Sequence, residues 1–290
     1  MPLDHKRFKV PSNVSFSLSS IRTDDTDGYH GKVDAVEKLA ADVEQLRMLQ
    51  AKLCAQEHYA VLVIFQAMDT AGKDGAIKHV MTGVNPQGVD VHNFKAPSGE
   101  EVLHDYLWRS VKVLPQRGHI GIFNRSYYEE VLVVKVHPEL LKNEKLPISK
   151  VTKDVWQQRY EDMNNFERYL TRNGIVVLKF FLHISKEEQK KRLLERVEDE
   201  SKNYKVSMQD IQERGYWKDY MKAYETMLRH TSTDHAPWYV IPSDHKWFTR
   251  VVVADAIVAE LKKLDPEFPK PTKESRKLLE QVKRALLNKK

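Results

Sequence analysis

Tyr59-Ala-Val-Leu-Val-Ile-Phe65 runs directly into Gln66-Ala-Met-Asp-Thr-Ala-Gly-Lys-Asp-Gly75. The first seven residues form a continuous apolar run rich in β-branched side chains, as a strand buried on both faces of a parallel sheet requires. After Phe65 the chain must turn from strand to helix before the helical run Ala76 to Met81. Such a turn aims successive backbone N–H groups outward at a helix N-terminus, where the dipole favours an anion, and phosphate is the natural ligand. Ala71, Gly72, Asp74 and Gly75 are the candidate phosphate-cradling positions. The small side chains among them allow close backbone approach, and Lys73 can reach the transferable group. The pattern departs from G-x-x-x-x-G-K-[ST] at two positions: Ala67 stands for the first glycine and Asp74 for the metal-binding hydroxyl. Asp69 is the informative residue, because a carboxylate inside a phosphate cradle repels the ligand unless a metal or an acceptor proton engages it. The competing reading of Asp69 is a turn or N-cap carboxylate.

Outward from this stretch, short apolar runs recur at Val89 to Phe94, His119 to Phe123, Val176 to Ile184 and Trp238 to Ile241. Helical patterns lie between them, at roughly 75 to 82, 100 to 113, 153 to 172, 186 to 199, 208 to 229 and 246 to 264. Alternating buried strands and helices imply βαβ units, hence a three-layer α/β/α sandwich around a parallel sheet. Val36, Leu39, Val43, Leu46, Leu49 and Leu53 recur at spacings of three and four and predict an amphipathic helix packed on the core or on an oligomer partner. Residues 1–33 read as an extended surface arm. Three prolines between Asp265 and Pro271 predict a linker to a final basic helix over about 273–288. One large domain, 1–290, accommodates all of it.

The strand at His119 to Phe123 ends in Asn124-Arg-Ser-Tyr-Tyr-Glu-Glu130. Ligands of doubly wound sheets bind outside the carboxyl ends of strands, so this tail and the loop at 66 to 75 can converge. Asn124 stands where P-loop enzymes often place a metal-organising Asp, and it supplies no charge. Glu129 is therefore the candidate to complete a metal shell with Asp69. Arg125 offers a permanently charged fork for phosphate oxygens. An Arg–Glu surface pair at a helix start is the plainer alternative.

The chain has 290 residues, 41% hydrophobic and 30% charged, with a net charge of +6, so it favours polyanionic partners only weakly. The single cysteine, Cys54, excludes an intrachain disulfide and a multi-thiolate zinc site, and suits a reducing compartment. His104, His119 and His137 lack zinc spacing, and Ser126 has no evident His and Asp partners. The N-terminal residues show no secretory signal and no apolar run is long enough to cross a bilayer, so a cytoplasmic protein without membrane or nucleic-acid partners is expected.

Taken together these residues resemble the polyphosphate kinase 2 family, which has a variant Walker A loop with an internal Asp and a strand-end Asp/Asn-Arg-Ser pattern. The resemblance extends through Gly83-Val-Asn-Pro-Gln-Gly88, Phe94-Lys-Ala-Pro97, Leu107-Trp-Arg109, Phe181-Leu-His-Ile-Ser185, Thr231-Ser232 and Ala236-Pro-Trp-Tyr239. It implies a P-loop kinase-like fold similar to thymidylate kinase, and magnesium-dependent phosphoryl transfer between inorganic polyphosphate and a nucleotide, with manganese as the alternative metal. Asn124, with Val84-Asn-Pro-Gln-Gly88 and the run Tyr128 to Val134, resembles the subgroup acting on both AMP and ADP. Carried over to this chain, Asp69 and Glu129 become metal or acceptor-activating carboxylates, and Lys73 and Arg125 charge stabilisers.

Nucleotide kinases close a mobile segment over their phosphates, and residues 186–230 suit a helical lid. Arg192 and Arg196 share a helix face there and are candidates for successive phosphates of the polymer. Phe94, Lys95 and Arg109 are candidates for the nucleotide end. A homo-oligomer, dimer or tetramer, is expected. Two rivals stand at this point: an ATP-dependent kinase on the same scaffold, and a non-catalytic polyanion or nucleic-acid binder suggested by the basic pI.

Overall fold

The computed structural model describes residues 3–12 and 15–287. Five parallel strands form one sheet in the order β2-β3-β1-β4-β5. They are β1 (Ala60–Ala67), β2 (Val89–Asn93), β3 (Ile120–Asn124), β4 (Ile175–His183) and β5 (Trp238–Pro242). Each expected strand is present within two residues of its expected bounds. β1 is central and buried at all eight positions, and each large aliphatic side chain so buried contributes about 1.5–3 kcal/mol over an exposed one. It pairs with β3 (Phe65 opposite Asn124) and with β4 (Ala67 opposite Leu182). Loops leaving β1, β3 and β4 therefore meet at one end of the sheet.

Ten α-helices are described: α1 (Lys32–Gln56), α2 (Lys73–Val80), α3 (Trp108–Val111), α4 (Val133–Val136), α5 (Val155–Arg172), α6 (Lys186–Glu198), α7 (Met208–Gly215), α8 (Trp217–Thr231), α9 (Lys246–Leu264) and α10 (Lys273–Leu287). α1 and α2 pack on α9 on one side, and α5 packs on β4 and α8 on the other, which completes the three layers.

Several local expectations need correction. The pattern at 100 to 113 is broken into a 3-10 turn, Gly99–Leu103, and the one-turn α3. Asp105 Oδ1 accepts from the N–H groups of Leu107 and Trp108, which restarts the chain there. The segment 208 to 229 likewise divides at Gly215 and Tyr216 into α7 and α8. On α1 the buried stripe is Ala35, Asp42, Leu46, Gln50 and Leu53, while Val36 is exposed. Polar positions could join the stripe because Gln50 exchanges two bonds with the Asn85 backbone, and Asp42 is held by Lys38, which also reaches Asp255 of α9.

The N-terminal arm is anchored rather than merely laid on the surface. It buries Phe8, Val10, Phe16 and Leu18, and Val10 N donates to Trp238 O at 2.8 Å along the edge of β5. Residues 1, 2, 13 and 14 of the arm lie outside the described residues, as does position 288 of the expected last helix. α10 buries none of its side chains.

Candidate active site

The loop behind β1 turns tightly into α2 because two residues adopt left-handed backbone. Thr70 has φ 65° and Gly72 φ 108°, the latter a conformation that a Cβ strains. α2 then begins at Lys73 with no side-chain cap on its first N–H groups, leaving them for an anion. Lys73 folds back and donates from Nζ to Ala67 O at 3.1 Å. Two of its three N–H donors remain for a ligand. Burial, with Arg125 as a like charge nearby, pushes the Lys73 pKa below its usual value.

β3 delivers the second half of the site. Asn124 is buried, and its Nδ2 donates to Asp74 Oδ1 at 2.8 Å and to Asn93 Oδ1 at 2.7 Å, so it organises the loop across strands. Burial alone would raise the Asp74 carboxyl, but this bond, with Lys205 and Lys73, holds it below its ordinary value. Arg125 takes a left-handed φ of 64° and donates from Nη2 to Asp69 Oδ1 at 3.0 Å. Against the burial that would lower it, Glu129 and Asp69 raise the Arg125 pKa. Burial raises Glu129 above the usual carboxylate range, with Arg125 and Lys73 opposing the shift. The structure thus brings Asp69, Lys73, Asn124, Arg125 and Glu129 together at the strand ends.

Asp69, Arg125 and Glu129 line a cleft of about 330 Å³. Phe94, Lys95 and Arg109 line it, with the Arg109 guanidinium 4.8 Å from the Phe94 ring centroid. Phe94 also packs edge-on against Phe123 of the core. Arg109 donates to Glu101 at 3.1 Å and to Lys95 O at 2.7 Å. Sequence reasoning missed further lining residues, among them Asp210 and Glu213 of α7 and Tyr220 and Tyr224 of α8. Spacings of three and four at 210/213 and 220/224 were the available signal.

The polyphosphate kinase 2 family model matches residues 30–269. Among curated relatives, an ADP-polyphosphate phosphotransferase of Rhodopseudomonas palustris is 46% identical, covering 99% of this chain and 100% of its own. An AMP/ADP-polyphosphate phosphotransferase of Meiothermus ruber is 43% identical over 94% of this chain and 99% of its own. The crystal structure of polyphosphate kinase 2 from Arthrobacter aurescens TC1 superposes with a TM-score of 0.85 at 40% identity, covering 95% of this chain and 96% of that one. This chain belongs to the polyphosphate kinase 2 family.

Within this polyphosphate kinase 2 architecture Arg192 of α6 has no donor left for the polymer phosphate expected of it. Arg192 is buried behind the loop, and its guanidinium donates to Thr70 O, Ala71 O, Ser243 O, Asp244 O and Glu188 Oε1 at 2.6–3.1 Å. All five donors are spent, so it braces the cradle from the rear. Arg196 faces Asp210 at 3.4 Å. Lys205, at the end of the 3-10 turn Glu200–Lys205, reaches Asp74 at 3.6 Å.

A hard divalent cation fits the oxygens present. Asp69 and Glu129 supply carboxylates, and the buried acceptors Gln66 Oε1, Thr70 Oγ1 and Asn124 Oδ1 have no hydrogen-bond partner. Among the described residues no cluster of three or more His, Cys, Asp or Glu forms a complete cage. That is the donor economy of an ion held by one or two carboxylates together with substrate phosphates. No helix of the described residues is long and apolar enough to cross a membrane.

Proposed function

We propose that this cleft transfers a terminal phosphoryl group from inorganic polyphosphate to AMP and ADP, reversibly and without a phosphorylated protein intermediate. The observation that carries the reading is the 3.0 Å contact between Arg125 and Asp69. It joins the phosphate loop to the strand end at the mouth of a nucleotide-sized cleft. Loop amides and Lys73 hold the donor phosphates, and Arg125 stabilises charge developing on the transferred group. Asp69 orients the attacking phosphate oxygen. Glu129 keeps Arg125 aimed inward by charge attraction. Magnesium, with manganese as the alternative, would be held by Asp69 and Glu129 and would neutralise charge on the phosphates.

The relatives' names differ in acceptor, one specifying ADP and the other AMP and ADP. The dual acceptor is proposed here on the motif containing Asn124 and on the size of the cleft. The test incubates the protein with AMP, ADP, GMP or GDP and either polyphosphate or ATP as donor. Magnesium-dependent product from polyphosphate with both AMP and ADP is expected. Product from ATP alone would establish an ordinary nucleotide kinase instead.

A further inference from the structure

Behind the site lies the most deeply buried ion pair among the described residues. Lys179 of β4 and Glu167 of α5 meet at 2.5 Å, and neither side chain has any exposure. Glu167 Oε1 accepts from the hydroxyls of Tyr127 at 2.8 Å and Tyr128 at 2.7 Å. Lys179 Nζ donates to Tyr128 Oη at 2.9 Å, to Glu167 Oε2 and to Thr231 O at 2.7 Å, so its three donors are all used. The carboxylate is therefore fixed in rotation as well as in place.

We propose that the Glu167–Lys179 pair is a positioning device for phosphoryl transfer. Through the two tyrosine hydroxyls it holds the 3-10 turn Tyr127–Val131, and with that turn Arg125 and Glu129. The inference rests on the reading of Arg125 given above. Arg125 occupies left-handed backbone, which a non-glycine residue keeps only where its surroundings over-determine it. Ser126 beside it is extended, and its Oγ accepts from Tyr128 N at 3.2 Å and from Gln66 Nε2 at 3.3 Å. Two consecutive tyrosines then converge on one carboxylate oxygen, which defines the direction in which the turn leaves the strand.

The far end of the same turn is held by the same helix. Arg159, eight residues before Glu167 on α5, donates to Glu130 O at 3.1 Å and to Glu130 Oε2 at 2.9 Å. The third attachment runs to the lid, because Thr231 is the last residue of α8, which carries Tyr220 and Tyr224 into the cleft. A buried ion pair gains little stability over apolar side chains of equal volume. What these two charges add is directed geometry at both tyrosines.

Tyr127→Phe and Tyr128→Phe leave the ion pair intact, so the full chain keeps its scaffold while losing the tethers. Rates, nucleotide KM and Tm are measured for the double variant in the wild-type and Arg125→Ala backgrounds. In the wild-type background kcat falls about 10- to 100-fold, the scale set by a misplacement near 1 Å, while KM for the nucleotide stays within about threefold. In the Arg125→Ala background the same pair costs several-fold less than in the wild-type background, because the part of the loss that runs through the guanidinium is already gone and only the part through Glu129 remains. An unchanged kcat in the double tyrosine variant, or equal losses in both backgrounds, would overturn the tether and leave the site reading standing. Near-normal activity in Arg125→Ala itself would overturn the site reading and the inference together.

Discussion

The front and rear faces of the phosphate loop each carry an arginine, and the two have opposite environments. Arg125 at the front makes one charged contact, to Asp69, and keeps donors free toward the cleft. Arg192 at the rear spends every donor on backbone carbonyls and Glu188. An arginine with donors to give can act on a ligand, whereas one already saturated can only hold the loop that does. The contrast also explains the left-handed backbone at Thr70: Arg192 bonds the Thr70 and Ala71 carbonyls and pins the strained turn in place.

The largest break in this contrast comes from the front face. Lys73→Ala and Asp69→Asn should each lower kcat/KM about 10²- to 10³-fold, the scale for removing one preorganised charge-stabilising group. Tm by calorimetry should move little in either. Arg192→Ala inverts the pattern, since it strands several buried carbonyls at about 1–3 kcal/mol each. Tm should then fall by roughly 5–10 °C for a chain of this size, and Arg192→Lys should not rescue it because an ammonium cannot span five acceptors.

The pH profile of kcat/KM sharpens the front face further. In the proposed mechanism Glu129 works ionised, and its raised pKa means ionisation is lost as pH falls through a value above 4.5. In the same mechanism Lys73 works charged, and its lowered pKa means the charge is lost as pH rises through a value below 10.5. The profile should be a bell narrowed from both sides, and Glu129→Gln should remove its acid limb while lowering the plateau. The smallest effect belongs to Arg196→Ala, which breaks a contact with Asp210 of α7. KM for polyphosphate should change by less than about threefold, as for a partly exposed pair.

Much of the fold was legible because periodicity reports burial directly. The run at Tyr59 to Phe65 could only be an interior strand, and β3, β4 and β5 are buried likewise, whereas β2 at the sheet edge has no buried position. The loop and the Asn124 to Glu129 segment were legible as chemistry because each follows a buried strand, and strand ends converge in a parallel sheet. Side-chain destination was not legible. Arg192 and Arg125 are the same residue type near the same loop, and only tertiary contacts separate brace from active group. Segment 186–230 holds eleven lysines and arginines, yet the residues it brings to the cleft include Asp210, Glu213, Tyr220 and Tyr224 and none of those bases. Nor could spacing disclose that Tyr127 and Tyr128 share Glu167, forty residues away in the chain.

Single-turnover transfer from polyphosphate to ADP, with wild-type protein and Arg125→Ala both saturated, tests the active role of the front face most directly. The expected result is a rate about 10²- to 10³-fold slower for the variant, with the nucleotide Kd within about threefold of wild type. An unchanged transfer rate accompanied by weakened nucleotide binding would contradict it.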